Sequence, residues 1–117
     1  MDECVFCRIV RGEIPVHLVW EDEHVIAFDD NAPQAPVHTL VVPRTHFVNL
    51  SDDIPATDTV AIFSAVSQVA KVKGVDLSGY RVIVNNGPDA CQTVAHLHVH
   101  VLGGRCLGHG MVTVEDE

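Results

Sequence analysis

The stretch "AHLHVHVLGGR", residues 95–105, sets His96, His98 and His100 on every second position, interleaved with Leu97, Val99 and Val101. In an extended strand successive side chains point to opposite faces, so the histidines share one face and the apolar residues the other. A helix would scatter the same side chains around its axis. The pattern therefore predicts a strand with one face toward a core and three imidazoles in register on the other, about 6.5–7 Å apart. Gly103 and Gly104 permit a sharp reversal at its end.

The rest of the chain supplies partners for such a strand. "VHLVWEDEHVIAFDD" reads as a hairpin: Val16 to Glu21 extended, a polar turn near Asp22 and Glu23, then Val25 to Asp29 extended. "NAPQAP" is a proline-marked loop, and "VHTLVVP" a β-prone run stopped by Pro43. Between Thr57 and Lys73 the period changes: Ile62, Phe63, Val66, Val69 and Ala70 recur at helical spacing. Thr57 or Asp58 is placed to cap that helix and Gly74 to close it. "YRVIVNN" adds another strand. Roughly five strands and one main helix, with few parallel crossovers, predict an α+β fold: an antiparallel sheet covered on one face by a helix. The 117 residues suffice for a single domain, 1–117, with one core.

Charge and hydropathy narrow the partners. No apolar run approaches the ~18 residues of a membrane span. The opening "MDECVFCRIVRGE" lacks the apolar centre of a signal peptide, so a cytoplasmic protein is expected. A net charge of −9 opposes binding to a nucleic-acid backbone. A single nucleotide stays possible, because local dipoles and histidines can outweigh a distant global field.

Two chemistries suit three histidines in register; a merely solvated polar face is the plainer alternative. One is a metal centre, since strand histidines two apart can share a zinc. The other is nucleophilic catalysis, in which a neutral imidazole attacks phosphorus and its neighbours handle charge and protons. A pKa near 6.5 leaves much of the imidazole neutral around pH 7. "CVFC" (Cys4 and Cys7) fits a metal half-site better than a disulfide or a redox motif, lacking a secreted setting or a βαβ unit. It needs two further ligands.

"HLHVHVL" matches His-φ-His-φ-His-φ-φ, with φ apolar, and so resembles the histidine-triad superfamily of nucleotide hydrolases and transferases. "CVFCRIVRGEIP", "DDNAPQAPVHTLVVPRTH" and "RVIVNNGPDACQTVAHLHVHVLGGR" extend the likeness to the Hint branch of nucleoside phosphoramidate hydrolases, over about nine tenths of the chain. The resemblance implies that His98 attacks the α-phosphate, that His100 assists at the phosphate, and that His38 supports them. It further implies phosphate or substrate contacts from Gln92, Thr93 and Asn85, a ribose-binding carboxylate at Asp30, and an apolar base pocket of Phe6, Ile9 and Phe28. Asp29 could replace Asp30 through a one-residue register slip.

Zinc-containing, mainly bacterial, members imply a structural zinc held by Cys4, Cys7, His46 and His96, with no organic cofactor. The alternative leaves His96 without metal, as a buttress to the site. The likeness implies a purine nucleotide or nucleoside phosphoramidate as ligand, and a homodimer that joins two sheets into ten strands. Two departures stand out. Cys91 occupies a position where glycine is common, and the ending "HGMVTVEDE" replaces the Trp-Pro-Pro-Gly of the eukaryotic branch. His17, His24 and His109 are expected in surface or loop positions. Competing functions are a dinucleoside polyphosphate hydrolase or nucleotidyltransferase, a noncatalytic nucleotide-binding regulator, and a metalloenzyme using all three triad histidines.

Overall fold

The computed structural model describes residues 4–112. Its elements run α1 (Val5–Val10), β1 (Leu18–Glu21), β2 (Val25–Asp29), β3 (Val37–Pro43), α2 (Ala56–Val72), β4 (Tyr80–Ile83) and β5 (Val99–Gly103), with a short 3₁₀ turn at Pro88–Ala90. The strands form one sheet in the order β1-β2-β3-β5-β4, with every neighbouring pair antiparallel. This is the predicted α+β arrangement. No helix among the described residues is long and apolar enough to cross a membrane.

Local chemistry explains the elements. Asp22 turns the β1–β2 hairpin, its carboxylate accepting the N–H groups of His24 (2.8 Å) and Val25 (2.9 Å). Helix α2 starts at Pro55, whose carbonyl accepts the N–H groups of Asp58 and Thr59. Thr57 and Asp58 thus lie inside the first turn rather than capping it, and Asp58 there complements the helix dipole. Gly74 closes the helix as expected: at φ +74° it donates to the Lys71 carbonyl while Val75 donates to that of Ala70. The N-terminal helix α1 was not predicted. Its end repeats the same closure, with Gly12 at φ +79° donating to Ile9 and Glu13 to Arg8.

The two sheet faces carry two separate apolar clusters. Val25, Ala27, Val41, Leu97, Val99 and Val101 pack beneath Ile62, Ala65, Val66 and Val69 of α2. Phe63, expected on that buried face, is 56% exposed. On the opposite face Ile26, Phe28, Leu40 and Val42 pack with Phe6 and Ile9 of α1.

The triad segment keeps its alternation but is only partly strand. The β3–β5 ladder runs from Val37↔Gly103 to Val41↔Val99, so His96 sits in a bend and His98 just before the strand. Pro43 has no N–H with which to extend the ladder. The Leu97 N–H instead donates to the Phe47 carbonyl (2.7 Å), and the carbonyl of Pro43 accepts from the His96 ring.

Candidate active site

Strand alternation decides what faces α1. From β2 come Ile26, Phe28 and, one residue past its end, Asp30; from β3 come His38, Leu40 and Val42; from the triad segment come His96, His98 and His100. Between this face and α1 lies a cavity of about 870 Å³. Phe6, Ile9, Phe28 and Leu40 make an apolar wall, while Asp30, Thr93, His98 and His100 contribute polar lining. All three expected base-pocket residues are there. Leu40, Ile14, Val16 and Val94 extend the apolar lining beyond the expected residues, Leu40 following His38 by two residues on one strand face, and His17, Asp29 and Asn31 add polar lining. No Lys or Arg lines the cavity among the described residues, so an anion inside it would be met by neutral or imidazole donors such as His100, Thr93 and Asn31 and by backbone N–H groups.

Two expected substrate contacts fall elsewhere. The Gln92 carboxamide braces its own loop. Its oxygen accepts from the Gly87 N–H (2.9 Å), and its nitrogen donates to the carbonyls of Val48 (2.7 Å) and Val94 (3.0 Å). Asn85, half-buried beyond β4, does not line the cavity.

Hydrogen bonds assign a tautomer to each histidine. His98 Nδ1 donates to the main-chain oxygen of His96 at 2.8 Å, which leaves Nε2 with a lone pair on a residue lining the cavity. His38 Nδ1 accepts the Gln34 N–H at 3.0 Å, so the proton resides on Nε2, which donates to His100 Nδ1 at 2.9 Å. His100 therefore carries its own proton on Nε2. One ring offers a lone pair and its neighbour a donor, with centroids 5.1 Å apart. Burial, reinforced by His98 and His38, pushes the His100 pKa down to about 4, so it stays a neutral donor at pH 7.

The paired aspartates both border the cavity but differ in their partners. Asp29 points toward α2, where its carboxylate accepts from Thr39 Oγ1 (2.9 Å) and Lys73 Nζ (3.0 Å) and pairs with His17 Nδ1 (2.8 Å). Burial acts to raise its pKa, but Lys73 and Thr39 outweigh that and hold it below the usual range. Asp30 lies at the cavity, 3.5 Å from His38 Nε2, and accepts the Ala32 N–H at 2.8 Å.

A second cluster adjoins the first. Cys4 Sγ lies 3.3 Å from His96 Nδ1, and Cys7 Sγ lies 3.1 Å from His46 Nδ1 and 3.6 Å from His96 Nδ1. All four donor atoms fall within 4.8 Å of one another. A tetrahedral ion with bonds of about 2.0–2.3 Å spaces its ligand atoms about 3.3–3.8 Å apart, so the set fits a metal. His96 Nε2 donates to the Pro43 carbonyl at 2.9 Å, which directs the Nδ1 lone pair at the thiols. Burial lowers the His96 pKa and so keeps that lone pair available. Desolvation, with Cys4 alongside, raises that of Cys7; a dication between the two thiols would reverse that preference. Asp30, His38 and His100 also converge within 4.8 Å. There the fit fails: with Nδ1 accepting from Gln34, His38 Nε2 needs its proton and has no lone pair to give.

The HIT-domain family profile matches residues 11–107. The chain belongs to the histidine-triad (HIT) family. An uncharacterized HIT-like protein of Azospirillum brasilense is 50% identical over 108 residues, covering 89% of this chain and 88% of that one. A HIT family hydrolase from Clostridium thermocellum superposes with a TM-score of 0.92 at 41% identity, covering 96% and 99% of the two chains. A histidine triad nucleotide-binding protein from Candida albicans does so at 0.83 and 32%, covering 98% and 87%.

Within this HIT protein, the loop before the triad has its own constraint. Cys91 adopts φ 59°, the left-handed region that favours glycine, and its thiol is exposed. That backbone conformation is the physical reason a glycine suits the position. The divergent ending falls largely on residues 113–117, outside the described residues.

Proposed function

We propose that this HIT-family hydrolase binds purine nucleotides and cleaves nucleoside 5′-monophosphoramidates through a covalent nucleotidyl-His98 intermediate. The observation that carries the reading is the His98 tautomer. With Nδ1 committed to a main-chain oxygen, the His98 ring leaves Nε2 as its acceptor position on a cavity that combines the apolar wall with the polar lining of Asp30, Thr93 and His100. Purine and ribose suit the wall of Phe6, Ile9 and Phe28, with the Asp30 carboxylate oxygens accepting from ribose hydroxyls.

The chemistry takes two displacements. His98 Nε2 attacks phosphorus and forms a P–N bond as the substrate's own P–N bond breaks; the leaving nitrogen takes up one proton and departs as the amine, and the water of the second step gives one proton back. Water then attacks the nucleotidyl-imidazole and releases the nucleoside monophosphate, restoring His98. His100 Nε2–H donates to a nonbridging oxygen or to the leaving nitrogen. His38 holds that proton in place through the bond to His100 Nδ1. Thr93 is a further donor, and Gln92 acts by bracing the loop.

Zinc is the metal that best suits two thiolates and two imidazoles, and it would supply structural tethering rather than chemistry. Such a thiolate site belongs in a reducing compartment, which supports a cytoplasmic location. A homodimer is supported by the free edge of β4, where Val82 and Ile83 are exposed, and by Val60 and Phe63 on the outer face of α2. Pairing β4 with its copy would make a ten-stranded sheet.

The test is amine release from an adenosine phosphoramidate by wild type, His98→Ala and His98→Asn. Turnover lost in both variants, with AMP binding kept, supports the reading. Full activity in either one overturns it, and binding without turnover by wild type favours the noncatalytic regulator.

A further inference from the structure

Helix α1 belongs to two sites at once. Phe6 and Ile9 line the nucleotide cavity, while Cys7, with Cys4 capping the helix start, supplies both thiols of the metal cluster. Six residues fall well below the length at which a helix is stable alone, so tertiary ties must hold it. Among the described residues, its hydrogen bonds are internal or run to Glu13 nearby; the polar ties to the sheet pass through the cysteines alone, to His96 and His46. Phe6 and Ile9 also pack on Ile26 and Phe28, the Phe6 ring meeting those of His96 and His98 edge-on, and both are more than nine-tenths buried; the little surface they leave uncovered faces the cavity.

The nucleophile is anchored differently. His98 Nδ1 bonds to a main-chain oxygen, and that backbone is fixed by Leu97 N–H on Phe47 and by His96 Nε2–H on Pro43. None of these bonds uses a thiol.

From this contrast, and resting on the nucleotide reading above, we propose that Cys4 and Cys7 are positioning residues for base recognition. A metal on Cys4, Cys7, His46 and His96 fixes α1, so that Phe6 and Ile9 form the wall against which the base packs. Loss of the metal releases that wall and leaves the triad competent.

The experiment compares zinc-loaded protein with protein stripped by a chelator, using AMP and ribose 5-phosphate as paired probes in calorimetric titration. Far-UV circular dichroism checks that the sheet persists. AMP affinity is expected to fall about tenfold or more on stripping, the share a base–aromatic contact carries, while ribose 5-phosphate binds equally to both forms. Re-adding zinc restores AMP affinity. With phosphoramidate substrate, KM rises on stripping and kcat stays within a few-fold. In Phe6→Ala, stripping has little further effect on AMP, because the wall it would release is already gone.

Equal AMP affinity in the two forms overturns the proposal, as does a parallel loss for ribose 5-phosphate or global unfolding on stripping. Failure of AMP to bind zinc-loaded protein instead strikes the nucleotide reading itself.

Discussion

His98 donates its Nδ1–H to the main-chain oxygen of His96 at 2.8 Å, and that bond divides two identical side chains between two tasks. His96 turns its ring to the thiols and offers its carbonyl to the neighbouring ring. His98 is thereby held as the tautomer whose Nε2 can attack. The Cys4–Cys7–His46–His96 cluster and the His98 ring are contiguous yet separable, because the hydrogen bond between them runs through backbone.

Asp29 is tied to Thr39, Lys73 and His17, whereas Asp30 borders the cavity with its carboxylate held, among the described residues, only by the Ala32 N–H and near His38, and that difference predicts opposite phenotypes. Asp30→Asn is expected to weaken AMP binding about tenfold or more at nearly unchanged stability, since it removes a charge-assisted acceptor for ribose. Asp29→Asn is expected to leave AMP affinity within about threefold and lower stability by about 1 kcal/mol through the partly exposed Lys73 bond. Titration calorimetry and urea unfolding on both variants check this, and a reversal of the two effects contradicts it.

His100 makes stability depend on pH in a defined window. In the unfolded chain its pKa is about 6.5, whereas in the fold burial holds it at about 4. Between those values the unfolded chain binds the proton and the folded one does not, so stability falls as pH drops from about 6.5 and levels off below about 4. The lowered pKa of His96 acts in the same direction. The urea midpoint should therefore be lower at pH 5 than at pH 7.5, and the difference should shrink in His100→Asn. An unchanged difference in the variant would remove His100 from the account.

Cys91→Gly is expected to stabilise the fold. A side chain at φ 59° costs about 1–2 kcal/mol, partly offset by the greater unfolded-state freedom of glycine. A net gain of about 0.5–1 kcal/mol should raise the thermal midpoint by a few degrees. A lowered midpoint would show that the thiol makes a contact worth more than the strain.

Metal analysis tests the four-ligand set directly. Cys4→Ser, Cys7→Ser and His46→Ala are each expected to lose most of the zinc carried by wild type and to melt at lower temperature. Stoichiometric zinc in all three would refute the set.

Much of this was legible because β-structure has a period of two. The alternation of His96, His98 and His100 against Leu97, Val99 and Val101 places the apolar set toward the core, where it packs under α2, and the imidazoles on the other face; His38 and Asp30 were implied by the family resemblance and not by the period. The strand's late start at Val99 was hidden because it depends on a non-local fact, that Pro43 stands where the next ladder partner would be. Helix α1 was overlooked because "CVFC" reads first as a ligand pair; "RIVRGE", with its closing glycine, was the available signal. The roles of Gln92 and Asn85 depend on side-chain direction in an irregular loop, which residue type does not encode. Phe63 shared the helical period with Ile62, yet one step around the axis, about 100°, carries it off the buried face.

Covalent catalysis by His98 can be read from intact-protein mass spectrometry after rapid acid-free quenching of a reaction with an adenosine phosphoramidate. Wild type is expected to gain the mass of one adenylyl group, mapped by peptide sequencing to His98, and to lose it again as AMP appears. His98→Asn should show no adduct. Turnover by wild type with no adduct at any time point, or an adduct mapped to His96 or His100, would contradict the account.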